Sequence, residues 1–348
     1  MKRRRAIIFI LVATIAVATY FFLQNNTPEQ LSSMKLGENI IKNAVINNDP
    51  LSIERMRAQL YPGSQISQVR TLPAGSNYTQ SVVSYQSEGL KIHALLTVPS
   101  GKAPAGGWPA IIFNHGYIQP TEYRTDEKYV AYVDSFARNG YVVLKPDYRG
   151  HGLSEGRPEG AYFSPAYTVD VLNAVSSVKT LSYVNKDKIG MWGHSLGGNI
   201  TQRAITIIPD IKAAVVWGGV VSSYNDMYEL WFNQRQRTPE ASAQIQEHWR
   251  VGRVNFTKLH GTPSSNPEFW NTIDPTKHLS YLTTPIQLHH SRGDETVNYR
   301  LSEELAKTLT KAGKPNELHL YEGDNHNISS NFVLAMERSI DFFDKYLK

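Results

Sequence analysis

Residues 187–199 read Asp187-Lys-Ile-Gly-Met-Trp-Gly-His-Ser-Leu-Gly-Gly-Asn199. A short apolar run, expected as a strand over 187–192, ends at Gly193, and Ser195 then stands between glycines in Gly193-His-Ser-Leu-Gly197. This pattern predicts a sharp strand-to-helix turn in which the serine backbone is strained. Gly193 and Gly197 remove the side chains that would collide across the bend. Only the Ser195 hydroxyl is then presented. The helix expected over 198–207 directs its N-terminus at the same point, so the Leu196 N–H is placed to stabilise an anion forming there.

Outward from this turn the chain alternates strands and helices. Residues 78–85 and 90–98 have a period of two on either side of Glu88-Gly89, which predicts a hairpin. Ala110-Ile-Ile-Phe113 is a continuous apolar run of the kind buried on both faces of a sheet. Further strands are expected at 141–145, 188–192, 213–217, 285–289 and 317–321, with helices at 129–138, 169–181, 198–207, 301–312 and 333–346. Such alternation implies an α/β fold with a mostly parallel eight-stranded sheet flanked by helices. One interval breaks the rhythm. Residues 221–284 follow the sixth strand and carry Tyr224, Tyr228, Trp231, Phe232, Trp249, Phe256, Phe269 and Trp270. The interval is too long for a loop in a compact domain, so a helical, cap-like insertion over the sheet is expected. Its aromatics hold such an insertion together, and Trp231 and Tyr224 are the candidates for lining a substrate pocket.

Ala6 to Leu23 is uncharged and apolar and follows Lys2, Arg3, Arg4 and Arg5. That length is at the low end for a bilayer span, and the basic flank at 1–5 predicts a transmembrane signal-anchor over 6–23 with the rest of the chain outside the cytoplasm. Ala16-Val17-Ala18 resembles a cleavage site, which would give a secreted form instead. Residues 24–77 read as a polar tether and helical lead-in, with Ile40, Ile41 and Val45 on one helical face and Asp49-Pro50 as an N-cap and first helical residue. The catalytic candidates all lie in 78–348.

The formal charge of +5 excludes little, since Lys2 to Arg5 supply four of those charges. No nucleic-acid footprint remains in the rest. Cysteine is absent, which excludes disulfides, a thiolate nucleophile and a Cys-based metal site. No cluster of His and carboxylates has metal spacing, and no cofactor or metal is called for. The glycine-rich Asp147-Tyr-Arg-Gly-His-Gly-Leu-Ser-Glu-Gly156 lacks the Gly-Lys-Ser/Thr ending of a phosphate loop. It reads as a turn-dense loop in which Arg149 pairs with a carboxylate.

A serine hydroxyl is nearly inert at neutral pH and needs a base, which needs a group to orient it. Asp294, in Ser291-Arg-Gly-Asp294, and His326, in Asp324-Asn-His326, each follow an expected strand, and the order Ser, Asp, His is that of the elbow-bearing hydrolases. Glu295 and Asp324 are rivals for the acid, and His290 and His319 for the base. For the latter pair a structural role within strands is the default. An anion at Ser195 needs a second donor, and Asn114-His-Gly-Tyr117 offers the Tyr117 N–H, with close backbone approach at Gly116. His115 is read as bonding neighbouring loops.

Asn114-His-Gly-Tyr117, Asp147-Tyr-Arg-Gly-His-Gly152, Gly193-His-Ser-Leu-Gly-Gly198, Arg292-Gly-Asp294 and Asp324-Asn-His326 together resemble the α/β-hydrolase superfamily. Within it, about Tyr78 to Lys348 resembles the catalytic domain of the prolyl oligopeptidase family. The resemblance implies that Ser195, Asp294 and His326 act as nucleophile, orienting acid and general base. It also implies a peptide or ester substrate cleaved through an acyl-enzyme. Larger relatives carry a β-propeller before this domain. Some fifty residues separate the expected anchor from the first strand here, too few for one, so a single-domain member is expected. Dienelactone-hydrolase-like and carboxylesterase members resemble the chain nearly as well. A catalytically silent binding domain is the remaining alternative.

Overall fold

Strand β6, Val184–His194, runs through the middle of the sheet because Ile189 to His194 are buried on both faces, flanked by equally buried neighbours. In a computed structural model of the chain, residues 48–158, 162–233 and 243–348 are described, the side chains of 243–251 excepted. The remaining strands are β1 Ser67–Leu72, β2 Tyr78–Ser87, β3 Leu90–Pro99, β4 Trp108–Asn114, β5 Val142–Pro146, β7 Ile211–Trp217, β8 Ile286–Ser291 and β9 Asn316–Tyr321. Their order across the sheet is β1-β2-β3-β5-β4-β6-β7-β8-β9. From β5 through β9 every pairing is parallel, and β1 to β3 join antiparallel at one edge.

The sheet thus has nine strands where eight were expected, and the insertion follows the seventh. The additional strand is β1. Its residues are exposed except Leu72, so Ser67 to Thr71 offer no apolar alternation to read. Edge strands of this kind are held by backbone pairing more than by side-chain burial. The expected hairpin is β2 and β3, paired residue for residue from Tyr78↔Pro99 to Ser87↔Leu90.

Helices α1 Ile53–Ala58, α2 Val130–Arg138, α3 Ala166–Val178 and α4 Leu196–Ile207 precede the insertion. The insertion holds α5 Tyr224–Met227, a π-helical turn Tyr228–Phe232, α6 Ala243–His260 and α7 Pro267–Ile273, and α8 Arg300–Lys311 and α9 Phe332–Leu347 follow it. One face of the sheet, with Phe113, Trp192, Val215 and Trp217, packs on Val133 and Phe136 of α2 and on Phe342, Phe343 and Leu347 of α9. The buried α3 and α4 cover the other face. At about 25 cal/mol per Å² of apolar surface, this burial is the main force holding the layers together.

These elements belong to one unit, Pro50–Lys348, and of the preceding unit only Asn48 and Asp49 are described. The lead-in helix begins later than expected. Ser52, not Asp49, caps α1, its hydroxyl accepting from the Arg55 N–H. The expected anchor at 6–23 and the face made by Ile40, Ile41 and Val45 lie outside the described residues, as does the side chain of Trp249. Among the described residues no helix is long and apolar enough to cross a membrane.

Candidate active site

Four loops, those after β4, β6, β8 and β9, at the C-terminal edge of the parallel strands bring the predicted residues together, the place where open α/β sheets build their sites. Ser195 follows β6 and caps α4 with φ 54° and ψ −116°, a region that a non-glycine residue adopts only under constraint. That constraint is visible in the backbone. The Ser195 N–H donates to Trp217 O (3.0 Å), and the Ser195 carbonyl accepts from Gly198 N (3.0 Å) and Val220 N (3.1 Å). Gly197 lets the first turn of α4 rest on the end of β4, since a Cβ there would fall on the Asn114 carbonyl. The Leu196 N–H, first of α4, has no acceptor within the helix.

Asp294 lies in the turn after β8, its side chain wholly buried. Its Oδ1 accepts from Thr296 N and Val297 N, both at 2.8 Å. Its Oδ2 accepts from His326 Nδ1 (2.7 Å) and His290 Nε2 (3.0 Å). Burial alone would push the carboxyl up, but the hydrogen bonds from His290 and His326 outweigh it and hold the acid well below the usual carboxylate range. With Nδ1 of His326 donating to a carboxylate, the Nε2 of a neutral ring carries the lone pair. The His326 ring packs 4.6 Å from that of His194, beside Ser195, and lines the turn at Gly218. Among the described residues the Ser195 hydroxyl makes no hydrogen bond. Such contacts commonly tighten only around substrate.

The rivals have other occupations. Asp324 organises its own loop, accepting from Asn325 N, Ser330 N, Asn331 N and Asn331 Nδ2. Glu295 is exposed. His319 sits beside Gln287 and Glu317 on β9. His290 is buried and faces Asp294 beside His326; its Nδ1 accepts from the Ser302 hydroxyl at 2.7 Å. Its place as a second imidazole on the acid was not foreseen, although its spacing of four residues before Asp294 was there to be used. Arg149 pairs with Asp170 and Glu88, as expected of a carboxylate partner. His115 is buried and stacked between Tyr123 and Tyr148, with ring centroids 4.6 and 4.2 Å away.

A cavity of about 720 Å³ opens beside these loops, lined in part by Tyr117, Ile118, Tyr132, Asn327 and Phe332. Tyr117 thus joins the loop after β4 to the space next to the residue following His326. Tyr224 and Trp231 are not among the residues lining it. The Tyr224 hydroxyl donates to Tyr162 O (2.5 Å) and accepts from Arg203 Nη2 (2.9 Å), tying the insertion to α4. Trp231 Nε1 donates to Thr296 O (2.7 Å), bracing the turn that holds Asp294. Among the described residues no cluster of three or more His or carboxylate side chains is arranged to hold a metal.

Several histidines here are buried and neutral. Burial, then the neighbouring His326, lowers His194 to about 3, and burial lowers His151 to about 4. Each is depressed from the ordinary 6.5, so the unfolded chain takes up protons first as the solution is acidified. The stability they contribute is complete above about pH 6.5 and is lost as pH falls from there toward the folded values. Between pH 6.5 and 5 the expected loss is on the order of 2 kcal/mol for each. Urea unfolding at the two pH values measures it, and an unchanged midpoint would contradict this account.

A serine on a strained elbow, an imidazole bonded to a buried carboxylate, and two backbone amides at the same sheet edge define a serine hydrolase on an α/β-hydrolase fold. The family described as prolyl oligopeptidase matches residues 128–348, and the chain belongs to it. The uncharacterized peptidase YtmA of Bacillus subtilis (strain 168) is 26% identical over 263 residues, covering 75% of this chain and 91% of that protein. Human dipeptidyl peptidase 8 is 24% identical over 255 residues, covering 71% of this chain but 26% of its own length. Among solved structures, the acetyl xylan esterase from Paenibacillus sp. R4 superposes with a TM-score of 0.62 at 19% identity, covering 88% of this chain and 94% of its own. Pyrococcus horikoshii acylaminoacyl peptidase gives 0.62 at 20% identity, covering 78% and 42%. Such structural likeness establishes the fold. No propeller is present among the described residues, which form the α/β unit alone.

Proposed function

We propose that the protein is a membrane-tethered serine peptidase that cleaves small peptides or amides through an acyl-enzyme. The observation that carries the reading is the 2.7 Å bond from His326 Nδ1 to the buried Asp294, at the sheet edge where the elbow presents Ser195. Ser195 Oγ attacks the scissile carbonyl as His326 Nε2 takes its proton, and the imidazolium formed is stabilised by Asp294. The Leu196 and Tyr117 amides receive the oxyanion, each worth about 3 kcal/mol of transition-state stabilisation. His326 returns the proton to the leaving amine. Water then repeats the sequence on the ester. The cavity between Tyr117 and Asn327 is where substrate flanking the scissile bond is accommodated.

Membership of a peptidase family and the likeness to YtmA along most of its length favour an amide bond. Esterase action is the second reading, favoured by the structural neighbour of matching length, the acetyl xylan esterase. The acyl-enzyme chemistry is common to both. The apolar run at 6–23 after four cations supports a single-pass anchor with the catalytic unit outside the cytoplasm, secretion after cleavage being the alternative.

One preparation tests the set. Salt-washed membranes from cells making the full chain are expected to hydrolyse aminoacyl anilides at rates comparable to matched acyl esters. Ester turnover with anilides inert would replace the peptidase by an esterase. Activity found wholly in the medium would replace the anchor by a cleaved signal.

A further inference from the structure

Gly116 occupies a junction that admits no side chain. A Cβ there would lie 2.6 Å from the Tyr129 hydroxyl, 3.1 Å from His194 Nδ1 and 3.2 Å from Ser195 Cβ. Three separate parts of the site therefore converge on this one backbone position: the loop after β4, the start of α2 and the elbow.

The hydrogen bonds at the junction have only one consistent assignment. The Gly116 N–H donates to Tyr129 Oη (2.9 Å), which leaves the tyrosine proton for His194 Nδ1 (2.7 Å). His194 Nδ1 must then be the acceptor, so its proton resides on Nε2. That Nε2 faces the carbonyl of His326 at 3.2 Å, which can only accept. Every donor meets an acceptor, and the chain runs from the oxyanion loop, through the elbow, to the loop that carries the base. His194 is nearly fully buried. Burial favours its neutral form, the form this chain of bonds requires.

Two further features hold the loop end of the chain. His115 Nδ1 lies 2.6 Å from the Gly116 carbonyl, much nearer than Nε2 lies to the Asp147 carbonyl (3.4 Å), and the shorter contact assigns the ring proton to Nδ1. In a trans peptide the following N–H points opposite to that carbonyl, so His115 and Tyr129 together fix the plane that carries the Tyr117 amide. Tyr129 itself has φ 61° and ψ 25° as the residue before α2, a left-handed conformation uncommon for an aromatic residue and maintained here by its packing on Phe113 and Trp192.

We propose that Tyr129 and His194 are positioning residues that lock the oxyanion loop, the elbow and the His326 loop into one register. The inference rests on the hydrolase reading above and adds to it two residues that act through their neighbours and not on the reacting atoms, although the Tyr129 ring also borders the cavity beside Tyr117. Without the chain, the Tyr117 amide and the His326 ring lose their common reference to Ser195. Misplacement of the order of an ångström at such groups slows chemistry more than it weakens binding.

Tyr129→Phe keeps the ring and removes the link. With a p-nitrophenyl ester, kcat is expected to fall roughly tenfold with KM within about twofold, and fluorophosphonate labelling of Ser195 to slow in proportion. His194→Phe breaks the same chain, so the double variant should lose little more than the worse single one. A folded Tyr129→Phe with wild-type kcat, whatever its melting temperature, would overturn the proposal, as would fully additive losses. If Tyr129→Phe does not fold, ¹⁵N-histidine NMR of the wild-type protein decides. The His194 ring is expected as the neutral Nε2–H tautomer at pH 7, and the Nδ1–H tautomer or an imidazolium overturns the assignment. A wild-type protein that the fluorophosphonate does not label would instead remove the hydrolase reading, a separate result.

Discussion

Ser195→Ala is expected to lower kcat by about 10⁶-fold while leaving the melting temperature close to that of the wild type. The two halves of this expectation have different origins. The elbow is held by main-chain bonds, from Ser195 N to Trp217 O and to the Ser195 carbonyl from Gly198 N and Val220 N, and alanine keeps all of them. The hydroxyl makes no hydrogen bond among the described residues, so its removal strands no partner. What disappears is the nucleophile and with it the covalent route, leaving only the assistance of the oxyanion amides and substrate binding. A fluorophosphonate that labels the wild type should spare the variant, and equal labelling of both would take Ser195 out of the mechanism. His326→Ala should cost nearly as much, and the double variant scarcely more, because base and nucleophile act as a unit.

What the sequence made legible follows from where the information is stored. The elbow is local: two glycines around a serine after an apolar run specify a turn geometry, and Ser195 has it. Asp294 and His326 were singled out because a parallel sheet sends each strand's following loop to the same edge, and the structure bonds the two side chains to each other there. Strand β1 was not found because its exposed residues carry no alternation, its place being set by pairing to β2. Tyr129 read only as the start of a helix and His194 only as the variable residue of the elbow. Their shared bond spans 65 positions, and no periodicity marks a contact of that kind. Tyr224 and Trp231 were singled out for aromatic character, whereas their partners, Arg203 and Thr296, lie on other elements. The polar handle of a buried tyrosine or tryptophan, not its ring face, fixes where it sits.

Asp294→Asn tests the acid with nearly the same shape and a different set of donors. In the wild type all four bonds to the side chain are accepted by oxygen, two from backbone amides at Oδ1 and two from imidazoles at Oδ2. An asparagine has one oxygen to offer. If its NH₂ replaces Oδ2, it confronts the Nδ1–H of His326, which is relieved only by moving the ring proton to Nε2, and the base is then blocked. Turned the other way, the NH₂ faces Thr296 N and Val297 N, and two buried amides lose their acceptor at about 1–3 kcal/mol each. Either arrangement is costly, and they are costly in different assays. The expected result is a kcat about 10⁴-fold below wild type together with a lower urea midpoint. Asp324→Asn is the control, since Asp324 bonds its own loop and not the imidazole. It should leave kcat within a few-fold of the wild type. A larger loss of kcat from Asp324→Asn than from Asp294→Asn would transfer the role of the acid to Asp324 and break the order in which the three loops are read.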